Sequence, residues 1–216
     1  MPTISAILTS AGESKRMGTL KPLIKWPDSN LGRDVSLIEY QISQLTDAGI
    51  DEIVVVLGHQ ADKISSYVKG NKVSYVINSE YRKGKSGSIK RGLEFVDDNS
   101  AAILLMAIDQ PRPSSIISKV IKSHSFKQTN ITSPTYRGRG GHPIIFSADL
   151  KTELMLITEN KQGIRDVISR NHKFVKRIEI DTDEIRLDLN TPEEYNKAYR
   201  NAWKKINSKR IINDKY

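Results

Sequence analysis

Thr3-Ile4-Ser5-Ala6-Ile7-Leu8-Thr9, followed by Ser10-Ala11-Gly12-Glu13-Ser14-Lys15-Arg16-Met17-Gly18, sets a β-prone, alternating segment directly before a small, polar and basic loop. Residues 3–9 read as a first strand, and the loop extends from Ser10 to about Pro27. In an open α/β sheet, ligands bind beyond the carboxyl ends of the strands, where this loop begins. Small residues at 10–12 let the backbone come close to a phosphate, so that its N–H groups form an anion cradle. Arg16 and Lys21 bring two cations to the same loop, as phosphoryl transfer from a triphosphate requires. An ordinary basic surface loop has a similar composition, so the stretch speaks to topology before it speaks to chemistry.

Outward from this loop, strand and helix alternate. Val35, Ile38, Ile42, Leu45 and Gly49 fall on one helical face, with Gly49 near the stop. Ile53–Leu57 is a continuous apolar run, as a parallel strand buried on both faces requires. A short helix over Ala61–Val68, a strand over Val73–Ile77, a helix marked by Ile89, Leu93 and Val96, and a fourth strand over Ala101–Ile108 follow. This is the order of a mainly parallel sheet with helices on both faces and right-handed crossovers. The second half is mixed. It has a helical stripe at Ile116, Ile117, Val120 and Ile121, strands at Ile131–Tyr136 and Pro143–Phe146, and a helix through Ile164, Val167 and Ile168. Late strands are expected at Phe174–Ile180 and Ile185–Leu189. Thr191-Pro192-Glu193-Glu194 is a capping box with proline at the first helical position, and Tyr195, Ala198, Tyr199, Ala202 and Trp203 give the last helix its apolar face.

No repeat, low-complexity tract or linker divides the 216 residues, and a 38% apolar content is adequate for one packed domain. The absence of cysteine excludes disulfides, thiolate metal sites and a cysteine nucleophile. No apolar stretch is long enough to span a bilayer. Met1-Pro2-Thr3-Ile4 lacks the basic-then-apolar layout of a secretory signal, so a cytoplasmic setting is expected. A net charge of +9 suits an anionic partner, but a lysine-rich solvated surface explains it equally. Much of the excess lies in Lys204, Lys205, Lys209, Arg210 and Lys215, which points to a basic tail over 206–216.

Asp109 ends the apolar strand Ile103-Leu104-Leu105-Met106-Ala107-Ile108, and Pro111 stops it. A carboxylate there either caps a turn locally or faces a site at the sheet's carboxyl edge. Asp188 lies at the end of another expected strand, where a solvated edge residue is the alternative. Mg²⁺ takes one or two protein carboxylates and completes its shell with phosphate oxygens and water, so Asp109 and Asp188 would form a suitable pair. Asn190 is a possible ligand in place of Asp188, although its position before Thr191 suits capping as well.

The run Ala11-Gly12-Glu13-Ser14-Lys15-Arg16-Met17-Gly18 with Lys21 resembles the signature loop of the MobA-like nucleotidyltransferases, and within them the molybdenum cofactor cytidylyltransferase branch. The resemblance continues in order through Leu57-Gly58-His59-Gln60-Ala61, then Asn78 with Gly84, Ser86, Ser88, Gly92 and Leu93, then Asp109-Gln110-Pro111. It closes with Gly141-His142-Pro143, Phe146-Ser147 and Asp188-Leu189-Asn190-Thr191-Pro192-Glu193-Glu194-Tyr195. It departs at Asn160-Lys161-Gln162-Gly163-Ile164-Arg165, where lysine stands in place of the family's usual aspartate, and over Trp26–Arg33, which is longer.

The resemblance implies a single Rossmann-like three-layer α/β domain with a mostly parallel, mixed sheet, of the nucleotide-diphospho-sugar transferase type. It would cover residues 1–205, with an NTP-binding half over about 1–110 and an acceptor half over about 111–205. The implied reaction moves CMP from CTP to the phosphate of molybdopterin with Mg²⁺, releases pyrophosphate, and leaves room for a molybdoenzyme as recipient of the product. Ser10, Ala11, Gly12, Arg16 and Lys21 would hold the triphosphate, Asn78 and Ser88 would lie near base and ribose, and Asp109 and Asp188 would hold the metal. A phosphate monoester is anionic near neutral pH, so no general base is assigned, and Arg16, Lys21 and Asp109 would carry catalysis by charge and position. Arg139 and His142, in the glycine-rich run Arg137–Pro143, are expected to meet the acceptor; a flexible hairpin facing water is the alternative.

Three rivals remain at this level. The same fold could guanylylate the molybdenum cofactor or act on a sugar or lipid-precursor phosphate. Ser79–Ser86 matches a P-loop except for its first glycine. A basic nucleic-acid-binding module would use the charge and the Arg137-Gly138-Arg139-Gly140-Gly141 run, though that run is a single short copy.

Overall fold

The computed structural model describes residues 2–213, with side chains through Ser208. In chain order the strands are β1 (Ile4–Ser10), β2 (Lys25–Asp28), β3 (Arg33–Ser36), β4 (Glu52–Leu57), β5 (Val73–Ile77), β6 (Ala102–Ala107), β7 (Ile131–Tyr136), β8 (Arg139–Gly140), β9 (Ile144–Ser147) and β10 (Val175–Glu179). The helices are α1 (Leu37–Asp47), α2 (Ala61–Ile64), α3 (Lys85–Leu93), α4 (Ser114–Ser123), α5 (Lys151–Met155), α6 (Ile164–Arg170) and α7 (Pro192–Asn213).

One mixed sheet runs in the order β10-β7-β9-β6-β1-β4-β5, with β8 paired to β7. Parallel pairing joins β5, β4, β1 and β6 as well as β7 and β10, and β9 is antiparallel to both β6 and β7. The alternation of β1 divides the core between the two faces. Ile4, Ala6 and Leu8 pack in one apolar cluster with residues of α1, α4 and α7, while Ile7 joins the other with Leu93, Leu154 and Val167. The result is the three-layer, mostly parallel α/β fold that the element pattern implies.

Because β1 has β4 on one side and β6 on the other, the chain reverses its direction of growth there. That reversal opens a crevice at the carboxyl ends of β1, β4 and β6, the place where open α/β sheets bind ligands. Gly92 lets α3 lie close beneath it, since a Cβ at that position would come within 2.6 Å of Ile7 Cγ2.

Three local expectations change. Val35 belongs to β3 and not to the first helix, because β2 and β3 form an antiparallel hairpin within what reads as a long loop. Trp26 anchors that hairpin, 6.1 Å from the Tyr40 ring and 6.5 Å from the Tyr195 ring. Helix α1 starts only at Leu37, behind a Ser36–Glu39 capping box. Such a cap contributes about 1 kcal/mol. Ile185–Leu189 is not a strand: a single 3-10 turn over Asp183–Arg186 leads into an extended segment. The carbonyls of Ile185 and Leu187 accept from the Arg112 guanidinium and so have no need of a neighbouring strand.

The Thr191–Glu194 capping box forms as its spacing predicts, with Glu194 N–H donating to Thr191 Oγ1 and Thr191 N–H to the Glu194 carboxylate. Tyr199 and Trp203 both donate to the Asp34 carboxylate, which ties α7 to the hairpin. Helix α7 continues to Asn213, across position 206, where the charge pattern sets the start of the basic tail. Residues 214–216 of that tail lie outside the described residues. No described helix is long and apolar enough to cross a membrane.

Candidate functional site

A cavity of about 330 Å³ opens at the crevice, lined by residues from the loop after β1, the start of α3 and the end of β6. Lys15, Arg16, Lys21 and Lys85 bring four cations to its wall, and Asp109 is the single carboxylate among its lining residues. Low-dielectric walls concentrate a field of one sign, so the cavity favours a polyanion that can also accommodate one acid.

The loop after β1 is held open by its own turns. Ser14 adopts a left-handed conformation ahead of a 3-10 turn over Lys15–Met17, and Met17 is buried beneath it. Ala11 C=O accepts from His59 N–H at 3.0 Å, which ties the ends of β1 and β4 together. This closeness requires glycine at 58, where a Cβ would sit 2.7 Å from Ala11 O and 2.9 Å from Tyr81 Cβ. Gly12 has nothing within 4 Å of the position a Cβ would take, so the backbone there faces open space. Glu13 turns away and is held by Lys15 at 2.9 Å and Arg82 at 2.7 Å. Those hydrogen bonds, Lys15 first, bring its carboxyl down to about 2.

The residues assigned from sequence separate into those that meet and those that do not. Ala11, Gly12, Arg16, Lys21, Ser88 and Asp109 all line the cavity. Lys21 is buried, and its ammonium donates to Asp109 Oδ2 at 3.4 Å. Arg16 reaches Asn190 Oδ1 at 3.4 Å, so the amide that stood as an alternative ligand closes the far wall. Asn78 lies just behind: its amide donates to Ser88 Oγ at 3.0 Å and accepts from Glu80 N–H at 3.0 Å. Ser10 is buried, not among the lining residues, and its hydroxyl has no partner among the described residues.

Asp188 lines a larger, neighbouring groove of about 950 Å³ that also includes Asn190. Desolvation raises its carboxyl above the ordinary range, and the nearby Asp109 raises it further against a hydrogen bond from Gln110. Two carboxylates and the Asn190 amide supply hard oxygen donors, while the described residues contain no cluster of three or more His, Cys, Asp or Glu side chains. Such a donor set fits a divalent cation that arrives with its own phosphate oxygens and water, as Mg²⁺ does.

The glycine-rich run is also divided. Arg139 is exposed in β8, whereas His142 is largely covered, with its N–H on Ile185 O at 2.8 Å and an unpartnered Nδ1. Burial, followed by the Arg112 charge, pulls the His142 imidazole down to about 4. Neither residue lines either cavity. Arg137 N–H is accepted by Glu179, and its guanidinium lies 5.1 Å from the Tyr136 ring, so this arm is partly committed within the fold.

The P-loop-like run takes a different shape from a phosphate cradle. Glu159 accepts from Ser86 N–H at the start of α3, where a P-loop would hold phosphate. Gly84, at φ +120°, makes room for that carboxylate, since a Cβ there would be 2.5 Å from Glu159 Cδ. Sequence reading missed Glu159, the cavity cations Lys15 and Lys85, and Arg112, whose guanidinium is fully buried. Only Arg112 carried a local signal: a lone charge between Pro111 and Pro113, next to a buried strand.

Comparison with known proteins finds relatives over most of the chain. The model of the MobA-like NTP transferase domain matches residues 6–174. Molybdenum cofactor cytidylyltransferase of Escherichia coli (strain K12) is 24% identical over 198 residues, covering 90% of this chain and 95% of that protein. Nicotine blue oxidoreductase of Paenarthrobacter nicotinovorans is 24% identical over 203 residues, with the same coverage. The bifunctional protein GlmU of Acetivibrio thermocellus is 28% identical over 133 residues, and the match spans only 28% of its length. Among solved structures, a nucleotidyl transferase from Methanothermobacter thermautotroptrophicus superposes with a TM-score of 0.78 at 23% identity, covering 94% of this chain and 99% of that one. The Rv0371C complex with manganese from Mycobacterium tuberculosis H37Rv gives 0.75 at 20% identity, covering 92% and 98%.

Proposed function

This chain belongs to the MobA-like NTP transferase family, and from that premise we propose that it transfers CMP from CTP to the phosphate of molybdopterin, with Mg²⁺, releasing pyrophosphate. One observation carries the reading: a crevice cavity with four cations around a single carboxylate at the end of β6. Lys15, Arg16, Lys21 and Lys85 suit a triphosphate, and Asp109 suits the cation that a triphosphate brings. The open backbone at Gly12 lets phosphate oxygens approach the loop amides.

The acceptor's terminal phosphate oxygen attacks the α-phosphorus in line, a new P–O bond forms, and the bond to pyrophosphate breaks. No proton has to leave a phosphate oxygen that is already ionised, so the site needs no general base. Lys21 and Arg16 hold the departing pyrophosphate charge, and Asp109 with Asp188 would hold Mg²⁺, whose contribution is to neutralise charge on the reacting phosphates. The acceptor is assigned to the second half of the domain, with Arg139 as the phosphate-gripping side chain and His142 as the second contact. The relatives' names cover more than one chemistry, and support for transfer over oxidoreduction comes from the charge pattern of the cavity. A sugar or lipid-precursor phosphate as acceptor is the same reaction with a different second half.

The test is incubation with each NTP, Mg²⁺ and molybdopterin, scoring pyrophosphate and nucleotidylated product. Pyrophosphate that appears with CTP and only when acceptor is present is the expected result. Orthophosphate released without acceptor, or no dependence on molybdopterin, would overturn the assignment.

A further inference from the structure

Arg112 heads the largest fully buried side chains among the described residues, yet it touches neither cavity. Its guanidinium is spent wholly on backbone carbonyls. Nε donates to His142 O at 3.1 Å, Nη1 to Pro111 O at 3.0 Å and Leu187 O at 2.8 Å, and Nη2 to Ile185 O at 3.0 Å. These acceptors belong to three separate segments: the turn after Asp109, the turn that carries His142, and the 3-10 turn with the extended residues that lead into Asp188.

Two backbone hydrogen bonds run along the same seam, from His142 N–H to Ile185 O at 2.8 Å and from Leu189 N–H to Asp109 O at 2.8 Å. Gly141 allows the approach, because a Cβ there would lie 2.4 Å from Ile185 O. Among the described residues no carboxylate hydrogen-bonds to Arg112 in this seam, although Asp188, Asp109 and Glu184 favour its charge from a longer range. A buried cation given over to carbonyls is expensive to desolvate. The fold keeps it where the segment from Ile185 to Leu189 has no strand partner. A planar fork of five donors can span three segments at once, which a lysine ammonium on a flexible stem cannot.

We propose that Arg112 is a positioning residue, whose four carbonyl bonds fix the segment 185–189 against the turn after Asp109 so that Asp188 and Asp109 address the same point. The proposal rests on the assignment of those two aspartates to the metal in the preceding section. Arg112 acts through the backbone, so its loss should loosen the Asp188 arm and leave the nucleotide cavity as it is.

The experiment compares Arg112→Lys and Arg112→Gln with the wild-type chain by amide hydrogen exchange and by steady-state CMP transfer. Leu189 and His142 amides are expected to exchange about tenfold faster or more, while the amides of β1 and β6 stay protected. The expected kinetic signature is kcat reduced about tenfold with the KM for CTP within about twofold, and Lys recovering less than a structural charge alone would give. Unchanged exchange at Leu189, or a raised KM for CTP with kcat retained, would overturn the proposal. Should both variants fail to fold, Gly141→Ala decides the matter, because it strains the same seam at Ile185 O and leaves Arg112 in place. Faster Leu189 exchange with reduced kcat in that variant supports the role, and faster Leu189 exchange with kcat retained refutes it. The exchange arm needs no substrate, so a wild-type chain that transfers no CMP sinks the functional assignment and leaves the positioning role to be read on its own.

Discussion

The Lys21 ammonium lies 3.4 Å from Asp109 Oδ2, and this pair lines the crevice cavity with the lysine only 7% exposed. Without nucleotide, each group serves as the other's counter-charge. A triphosphate with its cation offers both a better partner. Asp109→Asn keeps the size and the strand end, so the thermal midpoint should hardly move. Turnover should drop by about a hundredfold or more, the scale of losing a key electrostatic group. Because the cavity becomes more cationic, the KM for CTP should not rise. Near-normal turnover at saturating Mg²⁺ would remove Asp109 from the site.

Two glycines should separate stability from binding. Gly58→Ala puts a methyl 2.7 Å from Ala11 O, a backbone atom that cannot rotate away. We expect a loss of about 1–3 kcal/mol in stability, as overpacking costs, together with weakened CTP binding. Gly12→Ala meets nothing within 4 Å, so the fold should keep its stability while the methyl occupies the approach of a phosphate. Urea midpoints beside calorimetric titration of CTP check both. A stable Gly12→Ala that binds CTP normally would show that the loop backbone does not touch phosphate.

The reach of the sequence is visible in these residues. The apolar runs of β1, β4 and β6 declare themselves because a strand buried on both faces has no room for polar residues, and this fixed the sheet and its crevice. Asp109 was legible as the first charge after such a run. The β2–β3 hairpin was not, because its register depends on Trp26 packing against Tyr40 and Tyr195, a contact between segments far apart in sequence. Ile185–Leu189 misled for a related reason: Ile185 and Leu189 are buried, but a side chain and not a strand satisfies the carbonyls of Ile185 and Leu187. Ser10 shows the same limit, since a motif match cannot tell which way a strand's last side chain points.

Acid sensitivity should have a traceable part. His124 is buried, with Nδ1 2.9 Å from Thr132 Oγ1 and Nε2 unpartnered, and burial brings its imidazole down to about 4. The unfolded chain binds this proton near pH 6.5, so between there and pH 4 the unfolded state holds more protons than the folded one. Stability is then full above about pH 6.5 and falls with acidification, by at most about 1.4 kcal/mol per pH unit for one proton. His124→Gln, which can still bond Thr132, should flatten the decline in urea midpoint from pH 7 to pH 5. His142, shifted in the same direction, leaves a residual slope. An unaltered slope in the variant would rule out His124 as a contributor.

Base preference follows from the loop after β1. The Ala11 methyl packs against the Gly58 turn, so loop and turn meet closely at the cavity wall. A smaller pyrimidine is better suited to that wall than a purine. We therefore expect a higher kcat/KM with CTP than with GTP, measured with the same acceptor. A preference for GTP would reverse this reading.

The acceptor prediction turns on two neighbours that the fold treats differently. Arg139 is exposed in β8, free to grip a phosphate in two-pronged fashion, whereas His142 lies largely buried in the turn that Arg112 holds. With its imidazole brought down to about 4, His142 is neutral at pH 7 and offers one donor and one acceptor, not a charge. Arg139→Ala should therefore raise the acceptor KM in a salt-dependent way, and added salt should reduce the difference from wild type, since exposed charges are screened. His142→Ala should raise the same KM with little salt dependence. Neither residue lines the nucleotide cavity, so both variants should bind CTP almost as the wild-type chain does. Calorimetric titration of CTP beside a cytidylyl-transfer assay separates the two halves of the site. If both variants lose CTP affinity and keep their acceptor KM, the β8 arm belongs to the nucleotide half and the acceptor must enter elsewhere.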